Sequence, residues 1–224
     1  MHPEEPSLRK SVLELLSRRR SAHLGRLYYI ERGPLTSLEP WVSQGTPTNF
    51  FNRETELLQK ILPRLRDIAT SEGVLVDLGP GAPSSVARRA VSIAQSLAAV
   101  KYVPVDFSDA FLGTAAEVFR RELPKVIVEP IRADFFNAKF NLTGPATFIY
   151  MGGSTISNFP VFDTTAFPEV PYAGYFNKLC SLLRPGGHLL VGWHAAADEG
   201  YALAPYGCGS TILFRDAASR ADAA

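Results

Sequence analysis

Val74-Leu75-Val76-Asp77-Leu78-Gly79-Pro80-Gly81-Ala82-Pro83-Ser84 decides how this chain folds. Val74 to Leu78 is a short apolar run carrying one acid, suited to a strand covered on both faces. Gly79 and Gly81 break it, and an alanine-rich helical stretch follows from Ser84 to Ala99. The same alternation recurs downstream. Tyr102-Val103-Pro104-Val105-Asp106 is a second run, followed by a helix from about Ser108 to Glu122. Val126-Ile127-Val128-Glu129-Pro130-Ile131 is a third run and Ala146 to Met151 a fourth. A helix over roughly Tyr172 to Leu183 stops at Arg184-Pro185-Gly186-Gly187, and His188 to Trp193 is the fifth run. Apolar strands alternating with helices predict an α/β fold, a doubly wound and mostly parallel sheet. Its ligand is expected beyond the carboxyl ends of the strands.

Upstream, Leu8, Val12, Leu15 and Leu16 keep helical spacing over residues 7–20, with Ser7 as cap and Arg18-Arg19-Arg20 as a solvated end. Residues 33–49, rich in Gly, Pro, Ser and Thr, read as an irregular connection. A second helix is expected from about Asn52 to Thr70, with Leu57, Leu58, Ile61, Leu65 and Ile68 on its buried face and Pro63 as a kink point. Residues 1–70 are therefore expected to form a helical extension or lid, and residues 71–224 the ligand-binding domain. Thr211-Ile212-Leu213-Phe214 reads as an added edge strand.

The chain has 224 residues, 46% hydrophobic and 20% charged, enough to bury a sizeable core. Its 23 Lys and Arg against 22 Asp and Glu give a net charge of +1, so no basic excess exists to hold a nucleic-acid backbone. Runs such as Leu97 to Val100 are too short to span a bilayer. Glu4, Glu5 and Glu14 interrupt residues 1–30, which fits neither a secretion signal nor a transit peptide. Cys180 and Cys208 make no CxxC, and the four histidines make no spaced ligand set. A cytoplasmic, metal-free protein with small-molecule partners is the expectation.

The first glycine turn lacks the third glycine of a dinucleotide fingerprint, since Ser84 stands there, and it lacks the Lys-Ser/Thr pair of a phosphate loop. A plain strand-to-helix turn would carry the same glycines. Asp77 beside that turn puts a carboxylate at the mouth, which suits a cationic nucleoside ligand better than a pyrophosphate. Asp106 closes the second strand, where a carboxylate takes ribose hydroxyls in nucleotide-binding sheets. Asp134-Phe135 follows the third, placing an acceptor for an adenine amino group and an aromatic cover for its ring. Each acid alone has an ordinary capping role available. Together, at the ends of successive strands, they point to S-adenosylmethionine.

These stretches carry a resemblance. Val76-Asp77-Leu78-Gly79-Pro80-Gly81, Tyr102-Val103-Pro104-Val105-Asp106-Phe107-Ser108, Ala133-Asp134-Phe135 and Gly153-Ser154-Thr155-Ile156-Ser157-Asn158 resemble, in order, the ELGSG, YxPVDVS, GDF and GSTIGN motifs of the histidine-specific methyltransferases of ergothioneine synthesis. Phe50-Phe51-Asn52-Arg53-Glu54-Thr55-Glu56-Leu57-Leu58 is similar to that family's YYPTRxEaxIL stretch. The resemblance covers roughly residues 48–193. It implies a class I methyltransferase (Rossmann-like) fold, with S-adenosylmethionine held by Gly79, Gly81, Asp106 and Asp134, and with Asp77, Phe135, Gly153 and Ser154 beside it. It also implies that Asn158 holds the amino acid end of an acceptor.

Two departures bear on activity. Phe50 and Phe51 replace paired tyrosines whose hydroxyls the resemblance assigns to the acceptor. The family also continues well beyond the fifth strand, into segments that contact the imidazole, whereas this sequence stops shortly after it. Histidine methylation is accordingly not expected. The leading expectation is that S-adenosylmethionine is the whole substrate, its α-amine closing on its γ-carbon to give azetidine-2-carboxylate and methylthioadenosine. In compactness the chain resembles the azetidine-forming synthases of natural-product clusters. Phe50, Phe51 and Phe176 are expected to line an aromatic lid, which favours a sulfonium by cation–π attraction. Asn158, Tyr172 and Tyr175 are expected to orient the amine. The alternative is N-methylation of a small amine or amino acid other than histidine, and a third reading is a protein that binds the cofactor without turnover. Trp193 and His194 end the fifth run at the ligand edge, His194 as a solvent-facing loop residue.

Overall fold

A computed structural model describes residues 50–68, 73–135, 140–153, 155 and 171–192. The elements are α1 (Phe50–Ile68), β1 (Gly73–Leu78), a helical run α2, β2 (Ala99–Asp106), α3 (Asp109–Glu122), β3 (Ile127–Val128), β4 (Ile131–Arg132), β5 (Ala146–Met151), α4 (Pro171–Ser181) and β6 (Leu183–Val191). The run α2 comprises α-helical Pro83–Ser85, a π-helical turn Val86–Ala90 and α-helical Val91–Ser96. The expected helix over 7–20, the connection over 33–49 and the strand Thr211–Phe214 lie outside the described residues.

The strands form one sheet in the order β3-β2-β1-β5-β6, with β4 continuing beside β2, and every pairing among the described residues is parallel. Side chains alternate across it. Leu75, Tyr102, Phe148 and Tyr150 face one layer with Leu58 and Leu65 of α1, Ile93 of α2 and Phe119 of α3. Val76, Leu78, Val105, Ile149 and Met151 face the other, with Tyr175 and Leu179 of α4. Both faces are covered, which is the doubly wound α/β arrangement read from the sequence. Full burial of each large apolar side chain contributes roughly 1.5–3 kcal/mol.

Tertiary pairing redraws several boundaries. The single third run is two strands. Lys101 and Tyr102 pair with Ile127 and Val128, while Val105 and Asp106 pair with Ile131 and Arg132. Between them Pro104 has no N–H to give to the Glu129 carbonyl, so the ladder is interrupted there. The second strand starts at Ala99 and not Tyr102, because Gly73 and Ala99 already pair. The fifth starts at Leu183, and Arg184 to Gly187 bulge from it before His188 pairs with Phe148, with Gly186 at φ +75°. Leu57, expected on the buried face of α1, is 62% exposed. α1 runs unbroken through Pro63.

Candidate functional site

The turn after β1 is left-handed at both glycines, φ +73° at Gly79 and +71° at Gly81, a conformation that costs a residue with a Cβ. The Gly79 amide donates to the Val105 carbonyl at 2.9 Å, which ties the turn to the end of β2. A Cβ at Gly79 would stand 3.2 Å from Thr155 Cγ2 and 3.3 Å from Phe135 Cζ. The glycine turn, the aromatic after β4 and the segment after β5 therefore meet, although far apart in sequence. Thr155 is fixed from below, its hydroxyl donating to the Gly152 carbonyl at 2.6 Å.

Asp106 ends β2 and is buried. Its Oδ1 accepts the Ser108 amide at 2.9 Å, while the Ser108 hydroxyl caps α3 by accepting from the Phe111 amide at 3.4 Å. The capping role considered for Asp106 thus falls largely to Ser108. Burial pushes the Asp106 carboxyl up to about 7, opposed by the Ser108 and Phe107 amides and reinforced by Asp77. Asp134 lies just beyond β4, half-buried, with Phe135 fully packed beside it. The Ala133 amide donates to the Asp106 carbonyl at 2.9 Å, so the two acidic strand ends are joined directly.

Asp77 requires a correction. Its side chain is 2% exposed and its Oδ2 accepts from the Tyr102 hydroxyl at 2.8 Å, so the carboxylate sits beneath the turn and not open at the mouth. The alternation of β1 places it on the Leu75 face, under α2. Burial pushes the Asp77 carboxyl up to about 6, with the Tyr102 bond and Arg89 opposing. Tyr102 is itself held flat against Phe119, ring centroids 3.5 Å apart.

Tyr175, expected to orient the amine, stands in the core close to Asp134. It is buried among Phe135, Met151 and Leu179 in the second core, and burial and the Asp134 carboxylate both raise its phenol. Phe176 is half-buried and meets Tyr175 edge-on, at 5.9 Å between centroids. Both stand on the Asp134 side of the site. Asn158, Ser154, Trp193, His194 and the side chains of Phe50, Phe51 and Tyr172 lie outside the described residues.

A cluster that the sequence reading gave no role joins α1 to the site. Glu54 Oε1 and Oε2 accept the Gly153 amide at 2.9 and 2.8 Å, and the Tyr150 hydroxyl donates to Oε1 at 3.2 Å. Arg89 of the π-helical turn forms an ion pair with the same carboxylate. Burial works against the Arg89 charge, but Tyr150, Glu54 and Asp77 outweigh it. A Cβ on Gly192 would run into the Glu54 carboxylate, and one on Gly152 would run into the Tyr150 hydroxyl that donates to it. The one sequence signal for this cluster was Glu54 itself, an acid within the stretch similar to YYPTRxEaxIL.

The residues present fit an adenosyl ligand. Glycines leave backbone exposed where a Cβ would crowd it, a buried carboxylate ends β2, and a second with an aromatic follows β4. Among the described residues no group of three or more His, Cys, Asp or Glu converges as for a metal ion. None of the described helices is long and apolar enough to cross a membrane. Strand order and glycine turn together define a class I methyltransferase fold of the S-adenosylmethionine-dependent type. A family model for histidine-specific, S-adenosylmethionine-dependent methyltransferases matches residues 47–210, and the chain belongs to that family. No curated protein matches the sequence.

Several solved structures are similar. A methyltransferase from Geobacter sulfurreducens, crystallised with S-adenosyl-L-homocysteine, is 20% identical with a TM-score of 0.41, covering 59% of this chain and 47% of its own. YjhP from E. coli is 19% identical with a TM-score of 0.45, over 67% of this chain and 53% of its own. CalS10, an amino pentose methyltransferase from Micromonospora echinaspora solved with S-adenosylmethionine, is 15% identical with a TM-score of 0.45, over 70% and 55%. This chain spans about half the length of each. Strand order and family membership, rather than these distant likenesses, define the fold.

Proposed function

We propose that the chain binds S-adenosylmethionine at the carboxyl ends of β1, β2, β4 and β5 and transfers its methyl group to the nitrogen of a small amine other than histidine. The observation that supports this reading is the meeting of Gly79, Phe135 and Thr155 beside the buried Asp106. The bound sulfonium supplies an activated methyl carbon. Asp106 accepts the ribose hydroxyls, Asp134 accepts the adenine amino group, and Phe135 closes the apolar side against water. Asn158 takes the amino acid end of the acceptor, as the family resemblance implies. The nitrogen–carbon bond forms as the carbon–sulfur bond breaks, S-adenosylhomocysteine leaves, and the nitrogen releases a proton. Orientation of the two groups supplies most of the acceleration. The partners in this reading are small molecules alone.

A second reading is favoured by Phe50 and Phe51, which remove two hydroxyls from the acceptor side. The nucleophile is then the α-amine of S-adenosylmethionine itself. Its nitrogen bonds the γ-carbon, the γ-carbon–sulfur bond breaks, and loss of one proton gives azetidine-2-carboxylate and methylthioadenosine. No second substrate is needed. Incubation with methyl-labelled S-adenosylmethionine, alone and with a panel of small amines, separates the readings by mass spectrometry. Labelled amine with S-adenosylhomocysteine supports methyl transfer. Unlabelled azetidine-2-carboxylate with labelled methylthioadenosine supports cyclisation, and tight binding with neither product refutes both in favour of a binding protein.

A further inference from the structure

The geometry points to Glu54 as the positioning residue of this site: its carboxylate latches the N-terminal half of α1 onto the segment after β5 and so sets how that helix stands over the cofactor turn. A carboxylate accepts, and the groups hydrogen-bonded to Glu54 are donors. The Gly153 amide reaches both oxygens, the Tyr150 hydroxyl reaches one, and the Arg89 guanidinium closes the far side. This clasp joins three segments with no sequence proximity. α1 supplies the acid, β5 and its following residues supply Tyr150 and Gly153, and the π-helical turn that follows the glycine turn supplies Arg89.

The neighbouring arginine repeats the arrangement. Arg88 donates to Asn52 Oδ1 at 2.9 Å, so the π-helical turn grips the start of α1 twice, at Asn52 and at Glu54. Gly192 leaves the space that the carboxylate fills and Gly152 the space for the Tyr150 hydroxyl, and both sit at strand ends. Thr155, which abuts Gly79, lies two residues beyond Gly153 and donates its amide and its hydroxyl to the Gly152 carbonyl. Displacing Glu54 therefore releases the segment that packs on the cofactor turn. The same displacement moves positions 50 and 51, one helical turn away, where the family resemblance places acceptor contacts.

The test uses the full chain and two variants, Glu54→Ala and Glu54→Gln. Both lose the ion pair to Arg89, and both are expected to lower the thermal midpoint similarly. Glu54→Gln keeps a carbonyl oxygen for the Gly153 amide, whereas Glu54→Ala keeps none. Amide exchange at Gly153, read by NMR, should accelerate at least tenfold in Glu54→Ala and less than threefold in Glu54→Gln, with amides of β1 and β2 unchanged. S-adenosylhomocysteine affinity, measured by calorimetry, should fall about tenfold in the alanine variant and recover in the glutamine variant. Equal exchange at Gly153 in all three proteins, or acceleration spread evenly over β1 and β2, overturns the assignment. The affinity arm rests on the proposed cofactor role, but the exchange arm does not. Wild-type protein that binds no S-adenosylhomocysteine would sink that role and leave the latch to be decided by Gly153. If Glu54→Ala does not fold, Arg89→Lys replaces it, with Gly153 exchange faster than in the wild type expected and unchanged exchange there refuting the clasp.

Discussion

The sharpest consequence of the site concerns Asp106 and pH. Its carboxyl is buried and pushed up to about 7, chiefly by burial. Ribose hydroxyls donate to the ionised form, so a ligand that uses them must first find or create the carboxylate. Observed affinity then scales with the ionised fraction, which is about nine-tenths at pH 8 and about one-tenth at pH 6 for a group titrating near 7. Affinity should fall roughly tenfold between those values, about 1.4 kcal/mol. The probe is 5′-methylthioadenosine, which carries the ribose and adenine but no amine or carboxylate titrating in that range. Calorimetry in buffers of different ionisation enthalpy should also register close to one proton released per ligand bound at pH 6. Asp106→Asn should bind weakly and without slope. Affinity that is flat from pH 6 to 8 in the wild type, or a slope that survives in Asp106→Asn, would refute the placement of Asp106 on the ribose.

Stability without ligand follows the same sign. Between the ordinary carboxylate value near 3.9 and about 7 the folded chain keeps a proton that the unfolded chain has released, so the thermal midpoint should fall as pH rises through that window; a midpoint rising from pH 5 to 7 would contradict it. Tyr102→Phe removes the hydroxyl that Asp77 accepts at 2.8 Å and should cost about 1–3 kcal/mol. That loss should be larger at pH 8 than at pH 5, because the ionised Asp77 needs the donor more, and chemical denaturation at the two values checks it. Gly79→Ala meets a φ of +73° and contacts at 3.2 and 3.3 Å, so it should cost at least about 1–2 kcal/mol and abolish S-adenosylhomocysteine binding in calorimetry. Incubation with histidine and S-adenosylmethionine should yield no trimethylated histidine, and its appearance at steady turnover would overturn the reading of Phe50 and Phe51.

Local pattern made the sheet legible. Apolar runs such as Leu75 to Leu78 and Phe148 to Met151 cannot be solvated, and helical stretches between them leave parallel pairing as the arrangement that covers both faces. The glycine turn, Asp106 and Asp134-Phe135 were legible for the same reason, because strand ends in such a sheet fall on one edge whatever the side chains do. Tertiary structure alone decided what those residues touch. Asp77 reads as an open carboxylate in the sequence, yet strand alternation turns it under α2, where Tyr102 and Arg89 answer its charge. The third run reads as continuous, yet Pro104 on the neighbouring strand, with no N–H to give, divides it. Tyr175 reads as a hydroxyl at a helix start, yet the register of α4 on the sheet buries it beside Phe135. Glu54 shows the limit most plainly. Its partners Arg89, Tyr150 and Gly153 lie at sequence separations of 35, 96 and 99 residues, so no local period or spacing links them. A charged side chain enters such a place only when donors from several elements are brought together to replace water, and that is a property of the packed molecule and not of any segment of the chain.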